Sequence, residues 1–159
     1  MNIETKQLTE DWGFIRGNTT AFIEGLSDEQ LMKAFPRPGL DSFLKQFQEM
    51  VDVQEAYLDA CESGKMAFGK IKENDEYGND VTREAILAKM KEQDSRVETL
   101  LAAKSDAEIV WDENDKKTIS AQIRNLCMHE ALHVGQLIAF SYALGISIPE
   151  SVVEAWALS

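Results

Sequence analysis

The chain contains two histidines, His129 and His133, four residues apart in the segment HEALHVGQ. On a helix, a spacing of four sets both imidazoles on one face, one turn apart, where they can converge on a single ion. The chemistry suggested is that of a divalent metal site, zinc-, nickel- or iron-like, because neutral imidazole suits all three. A plainer reading of the same spacing is a pair of inward histidines hydrogen-bonded to their neighbours. Glu130 lies between them, so HEALH also fits the HExxH pattern of zinc metalloproteases, with Glu130 as general base and Glu154 as a third ligand. Those enzymes hold their peptide along a strand edge beside the motif helix, and no strand pattern stands out in this chain, which disfavours the protease. Glu130 is expected instead to support the site, accepting a hydrogen bond from a ligand imidazole or from a neighbouring helix. As an inward acid it needs a partner such as Arg16, a lysine or a tyrosine hydroxyl. Gln136 is a second candidate for a supporting hydrogen bond, and Gly135 beside it allows close helix packing. Cys127, two residues before His129, faces roughly the opposite way and reads as a packed thiol.

The helix that must carry these residues starts near Thr118 or Ser120 and runs to Leu144, with Gly145 placed to end it. Its core row is Ile119, Ile123, Leu126, Glu130, His133, Leu137 and Phe140, so both histidines point inward or to the edge of the core. Three further segments repeat with helical period. The first runs from near Glu4 to Leu26, with Trp12, Ile15, Phe22 and Ile23 apolar. Ser27 with Gln30 then has the form of a capping box. The second helix is capped by Asp41 or Ser42, turns Phe43, Phe47, Met50, Val51, Tyr57, Leu58 and Cys61 inward, and ends at Ser63-Gly64. The third spans about Thr82 to Ala103, with Ile86, Met90, Val97, Leu100 and Leu101 on its apolar face. Lys70 to Asp80 reads as an exposed loop without the ligand order of an EF-hand, and WDENDKK as a polar connection. ISIPESVVEAWALS predicts a proline-initiated short helix that lays Val152, Val153 and Trp156 back on the rest. The natural solution is an all-α, up-down four-helix bundle with a short C-terminal helix or tail, one domain over residues 1–159.

Composition narrows the partners. The 159 residues carry 28 acidic and 16 basic side chains, a net charge of -12. That balance disfavours nucleic acid, whose phosphates require clustered Lys and Arg. No apolar run approaches the ~20 residues of a membrane span, and MNIETKQLTEDWG has neither the basic start nor the apolar stretch of a signal peptide. Two cysteines, Cys61 and Cys127, make no disulfide framework. The expectation is a cytoplasmic protein acting without membrane or nucleic acid.

HEALHVGQLIAFSYALGISIPESVVEAW resembles the last helix and tail of DinB-like four-helix-bundle proteins, whose pattern is His-x-x-x-His-x-Gly-Gln, an apolar run, and a Gly-x-x-x-Pro tail. SFLKQFQEMVDVQEAYLDACESGKMAF is similar to the family's second helix, with its Gln-Phe-x-His core and trailing Tyr, and EGLSDEQL to its amino-terminal turn. The resemblance implies a metal site of three histidines, one on the second helix and two on the fourth. Here the fourth-helix pair is His129 and His133, and the second-helix position falls on Glu49, or on Gln48 if the register shifts by one. Glu49 can ligate through oxygen, giving a 2-His-1-carboxylate set with positions left open, though its charge lowers the Lewis acidity of the ion. Trp12, Arg16, Tyr57 and Tyr142 are candidates to line a substrate pocket over that ion. The implied function is a thiol-dependent S-transferase or hydrolase acting on a small molecule, with a low-molecular-weight thiol as a further cofactor, and family habit implies a homodimer. Glu49 in place of histidine keeps a second reading open: a non-catalytic bundle with a degenerate site, binding a small ligand or a partner.

Overall fold

A computed structural model describes residues 3–158, and four long helices occupy the four periodic segments. α1 spans Ile3–Gly25, α2 is the single turn Asp28–Leu31, and α3 spans Phe43–Ser63. α4 spans Arg83–Lys104, α5 spans Ile119–Leu144, and α6 is the short Glu150–Ala155. α1 packs on α5 and α4, and α3 on α4 and α5, which closes an all-α bundle.

Local chemistry sets the ends. Ser42, Thr82 and Thr118 accept the backbone N–H three residues on, capping α3, α4 and α5, and Ser27 with Gln30 completes a reciprocal capping box. Gly64 and Gly145 end α3 and α5 at φ of 78° and 65°, where a side chain would strain the backbone. α6 buries Val152 completely. Trp156, just after it, stays partly exposed, tilted against Phe14 with its indole N–H donating to Asn18 Oδ1.

Two expectations need correction. The WDENDKK connection is the tip of a small antiparallel hairpin, β1 (Glu108–Val110) and β2 (Lys116–Thr118). Three-residue strands are too short for an alternating pattern to register. The hairpin is nonetheless anchored: Ile109 is buried, and Val110 exchanges backbone hydrogen bonds with Gly64 and Met66 just beyond α3. The 70–80 loop is also not wholly exposed, since Tyr77 is buried and Gly78 accepts a hydrogen bond from Gln48.

The apolar core falls into two clusters. Phe22, Phe43, Phe47, Met50 and Val134 belong to one, and Leu8, Trp12, Leu58, Val97 and Leu126 to the other. Along α5 the break between Leu126 and Val134 is filled by buried Glu130 and His133. The helices thus enclose a polar layer, and the candidate site lies in it.

Candidate metal centre

Glu49 projects from the second turn of α3, and His129 and His133 from successive turns in the middle of α5. The spacing of four brings the two rings edge to face, centroids 4.6 Å apart at 70°. His133 Nε2 lies 2.8 Å from Glu49 Oε2, His129 Nε2 3.3 Å from Glu49 Oε1, and the two Nε2 atoms are 3.3 Å apart. Three metal-ligating atoms thus meet in one small space. A tetrahedral ion with ~2.1 Å bonds separates its ligand atoms by about 3.4 Å. The separation of the two Nε2 atoms matches that edge, while the imidazoles meet different oxygens of Glu49, at 3.3 and 2.8 Å.

Gln46, the glutamine of the Gln-Phe-x-His core whose last position is Glu49 in this chain, decides the state of His133. Gln46, one turn before Glu49, donates from Nε2 to the carbonyl of Leu40 at 2.9 Å, which orients its amide with Oε1 toward His133. His133 Nδ1 sits 2.5 Å from that oxygen and must carry the proton. A neutral His133 then presents a bare Nε2 lone pair to a carboxylate oxygen 2.8 Å away. Such an arrangement of acceptors is stable only around a shared positive charge, either an extra proton on an imidazole or a metal ion. Burial pushes the Glu49 carboxyl up, but hydrogen bonds from His129 and His133 and their positive charge outweigh it and hold the acid down at about 2. The carboxylate is therefore ionised at any ordinary pH and suited to ligate. Donor number, type and spacing all fit a divalent ion.

The other expected residues divide. Glu130, fully buried, bonds neither imidazole: Arg16 Nη1 donates to its Oε1 at 3.2 Å and Gln54 Nε2 to its Oε2 at 2.5 Å. Of the partners considered for it, the neighbouring-helix arginine is present and the ligand imidazole is not. Arg16 also donates to Gln54 Oε1 and, through Nε, to Asp94 Oδ1 at 2.8 Å, where the Trp12 indole N–H converges at 2.9 Å. Trp12 and Arg16 therefore belong to a closed polar network and not to a pocket over the imidazoles. Locked in this way, Glu130 is unavailable as a protease base. Gln136 accepts from Arg37 at 2.8 Å and ties down the loop before α3, so its expected support of the site is corrected to that role. Gly135 is exposed with no neighbour near its Cα, so it mediates no close packing within the chain. Tyr142 is exposed, nine residues beyond His133 on α5, and does not reach the site. Tyr57 stands closer, beside His129 in the wall of a small cavity. Gln48 is turned away to Gly78, which leaves Glu49 as the α3 residue facing the imidazoles. Burial raises the Cys127 thiol to about 12, helped by Glu130 and Asp11, so it stays protonated.

Gln46 and Gln54 share one available signal: glutamines at otherwise apolar positions of an amphipathic helix, where burial demands a partner. Trp111, between the two short strands, had none.

Fold and centre together define a helical-bundle protein with a cluster of two histidines and one carboxylate that could hold a metal ion. Residues 12–137 match the DinB superfamily, and the chain belongs to that family. The match takes in Glu49, His129 and His133 and stops at Leu137, so the tail lies outside it. No curated protein matches the chain.

Proposed function

We propose that this chain is a metal-dependent enzyme, a thiol-dependent S-transferase or a hydrolase acting on a small molecule, with Glu49, His129 and His133 as the metal ligands. The observation that carries the reading is the convergence of three acceptor atoms with Gln46 holding the proton of His133 on the far nitrogen. A divalent ion there supplies Lewis acidity, by which a water or a low-molecular-weight thiol becomes a nucleophile near neutral pH. The chain's own part is to keep Nε2 of His133 free of a proton through Gln46, to hold Glu49 ionised, and to set His129 beside them on the next turn of α5. Three protein ligands leave a coordination position for the reacting molecule. No helix among the described residues is long and apolar enough to cross a membrane, in keeping with a single-domain cytoplasmic protein. Zinc, nickel and iron(II) titrations of protein made without a histidine tag test the reading, followed by S-transfer and hydrolysis assays with the tightest binder. Micromolar or tighter binding that Glu49→Ala and His129→Ala each remove is the expected result. Absence of binding for all three metals would leave the non-catalytic bundle as the better account.

We further propose a homodimer formed through α1 and α5. Met128, Leu132 and Tyr142 are exposed on α5 at near-heptad spacing, with exposed Gly135 and Ala139 between them, and Phe14 is exposed on the adjoining α1. An apolar strip of this kind commonly marks an interface, and a second copy can present the same strip about a two-fold axis. Sedimentation at micromolar concentration should give twice the 17.9 kDa chain mass; a single species at chain mass would remove the dimer.

A further inference from the structure

A cavity of about 90 Å³ lies on the side of His129 toward the hairpin, walled by Val53, Tyr57, Trp111, Gln122, Asn125, Leu126 and His129. Three of these side chains carry buried polar atoms without partners. Gln122 is completely buried, yet neither its amide nitrogen nor its oxygen has a hydrogen bond, and the Trp111 indole N–H and His129 Nδ1 are likewise buried and unpaired. Unmade buried hydrogen bonds are costly, and three side chains bearing them around one small space is far from the usual near-complete pairing. The contrast with His133 is direct. Its Nδ1 proton has Gln46 Oε1, whereas for His129 the protein supplies no acceptor at Nδ1, the atom that must carry the proton once Nε2 holds a metal.

We propose that this cavity is a binding subsite for an uncharged carboxamide group of a ligand, which supplies partners to Gln122 Oε1, the Trp111 indole N–H and His129 Nδ1. The volume corresponds to about three waters at ~30 Å³ each, or to one group the size of acetamide. The wall itself carries no carboxylate, lysine or arginine, and Lys117, 4.5 Å from the Trp111 ring centroid, is already paired with Asp115 at 3.0 Å, so no free counter-charge favours an anion or a cation there. A carboxamide matches what is offered. Its oxygen brings two lone pairs to N–H groups of Trp111 and His129, and its NH₂ meets the free oxygen of Gln122. Tyr57 and Trp111, ring centroids 5.5 Å apart, supply flat apolar walls for a planar group. The group anchors the ligand and takes no part in bond making, because it meets the side of the His129 ring opposite to the metal-facing nitrogen. Through that ring the subsite and the metal are coupled, and each strengthens the other by the same factor. The inference rests on the metal reading only for this coupling and for the protonation of Nδ1.

The test uses the full, ¹⁵N-labelled chain, metal-free and zinc-loaded, titrated with acetamide, acetate and methylammonium. The indole N–H resonance of Trp111, assigned by loss in Trp111→Phe, and the Gln122 side-chain amide are the reporters. Acetamide should shift both saturably in the millimolar range, and acetate and methylammonium at equal concentration should not. Gln122→Leu, which fills the same space without polar atoms, should weaken acetamide at least tenfold while keeping the helical circular dichroism. Trp111→Phe offers a milder variant, with a severalfold loss read on Gln122. Saturating acetamide should tighten zinc about tenfold, the lower end of what a supporting hydrogen bond contributes, and Gln122→Leu should lose that gain. No saturable shift, an equal shift with acetate, or acetamide binding unchanged in Gln122→Leu overturns the subsite and leaves the cavity filled by water only. Zinc binding read from the histidine resonances of the same samples separates the two proposals: zinc without acetamide sinks the subsite alone, and acetamide without zinc sinks the metal reading alone.

Discussion

Two polar clusters sit side by side on α5, and they solve the burial of charge in opposite ways. Around Glu130, donors and acceptors balance: both carboxylate oxygens have a donor, Arg16 spreads its guanidinium over Glu130, Gln54 and Asp94, and Trp12 shares the last of these. Around Glu49, the His133 nitrogen facing the carboxylate lacks a proton once Gln46 has taken its bond at Nδ1, so two acceptors face each other. A balanced cluster is a structural tie among α1, α3, α4 and α5. An unbalanced one, nearer the surface at Glu49 and His129, needs a cation from outside. The chemistry of the molecule is therefore to be sought where its own hydrogen bonding is incomplete.

Breaking the balanced cluster should have the largest effect. Arg16→Met leaves Glu130 buried with its charge uncompensated, and the metal-free protein should lose about 3–5 kcal/mol in urea unfolding at pH 7. The double variant Arg16→Met/Glu130→Leu should regain most of that. A loss below about 1 kcal/mol in the single variant would mean that Glu130 is not held as described.

Next in size is His133→Ala. Zinc binding should disappear from isothermal titration, since two remaining ligands are too few, while the metal-free protein should lose less stability than Arg16→Met does. Retained submicromolar zinc affinity would move the ion elsewhere.

Gln46→Leu sharpens the comparison from the other side. It leaves the three ligands in place but frees the His133 tautomer, and zinc affinity should fall about 10- to 100-fold, or ~1.4–2.8 kcal/mol. Glu130→Gln, by contrast, should leave zinc affinity within about threefold, or ~0.7 kcal/mol, because Glu130 touches neither imidazole. An affinity loss in Glu130→Gln as large as in Gln46→Leu would erase the distinction between the clusters. Metal-dependent peptide cleavage that vanished in Glu130→Gln would revive the protease.

The smallest effect concerns acid. Glu49 has its pKa lowered from 4.5 to about 2 in the folded protein, so its contribution to metal-free stability is complete above about 4.5 and is lost as pH falls toward 2. Zinc should leave at higher pH than this, because protons compete with the ion for the imidazole nitrogens. Glu49→Gln should weaken zinc without moving the midpoint of its pH dependence, measured by competition titration. A midpoint that followed Glu49 would make the carboxylate the titrating ligand.

By itself the sequence determined everything that depends on neighbours a few residues apart. Helical periodicity delivered the four long helices, because amphipathic repeats and caps such as Ser42, Thr118 and Gly145 are local features. The pairing of His129 with His133 was equally local, since a separation of four on one helix is geometry and needs no fold. Glu49, eighty residues before His129, came into view only through family resemblance. The tertiary structure alone decided the rest. It set Gln46 against His133 across 87 residues and Arg16 against Glu130 across 114, and it turned Gln136 and Tyr142 away from the site although both lie on the same helix as the histidines. It brought Trp111 to the wall beside His129 through a hairpin too short to leave a pattern. The physical reason is the same in each case. Which polar group satisfies a buried donor or acceptor depends on which helix faces lie within three ångströms of one another, and that is settled by packing and not by residue order.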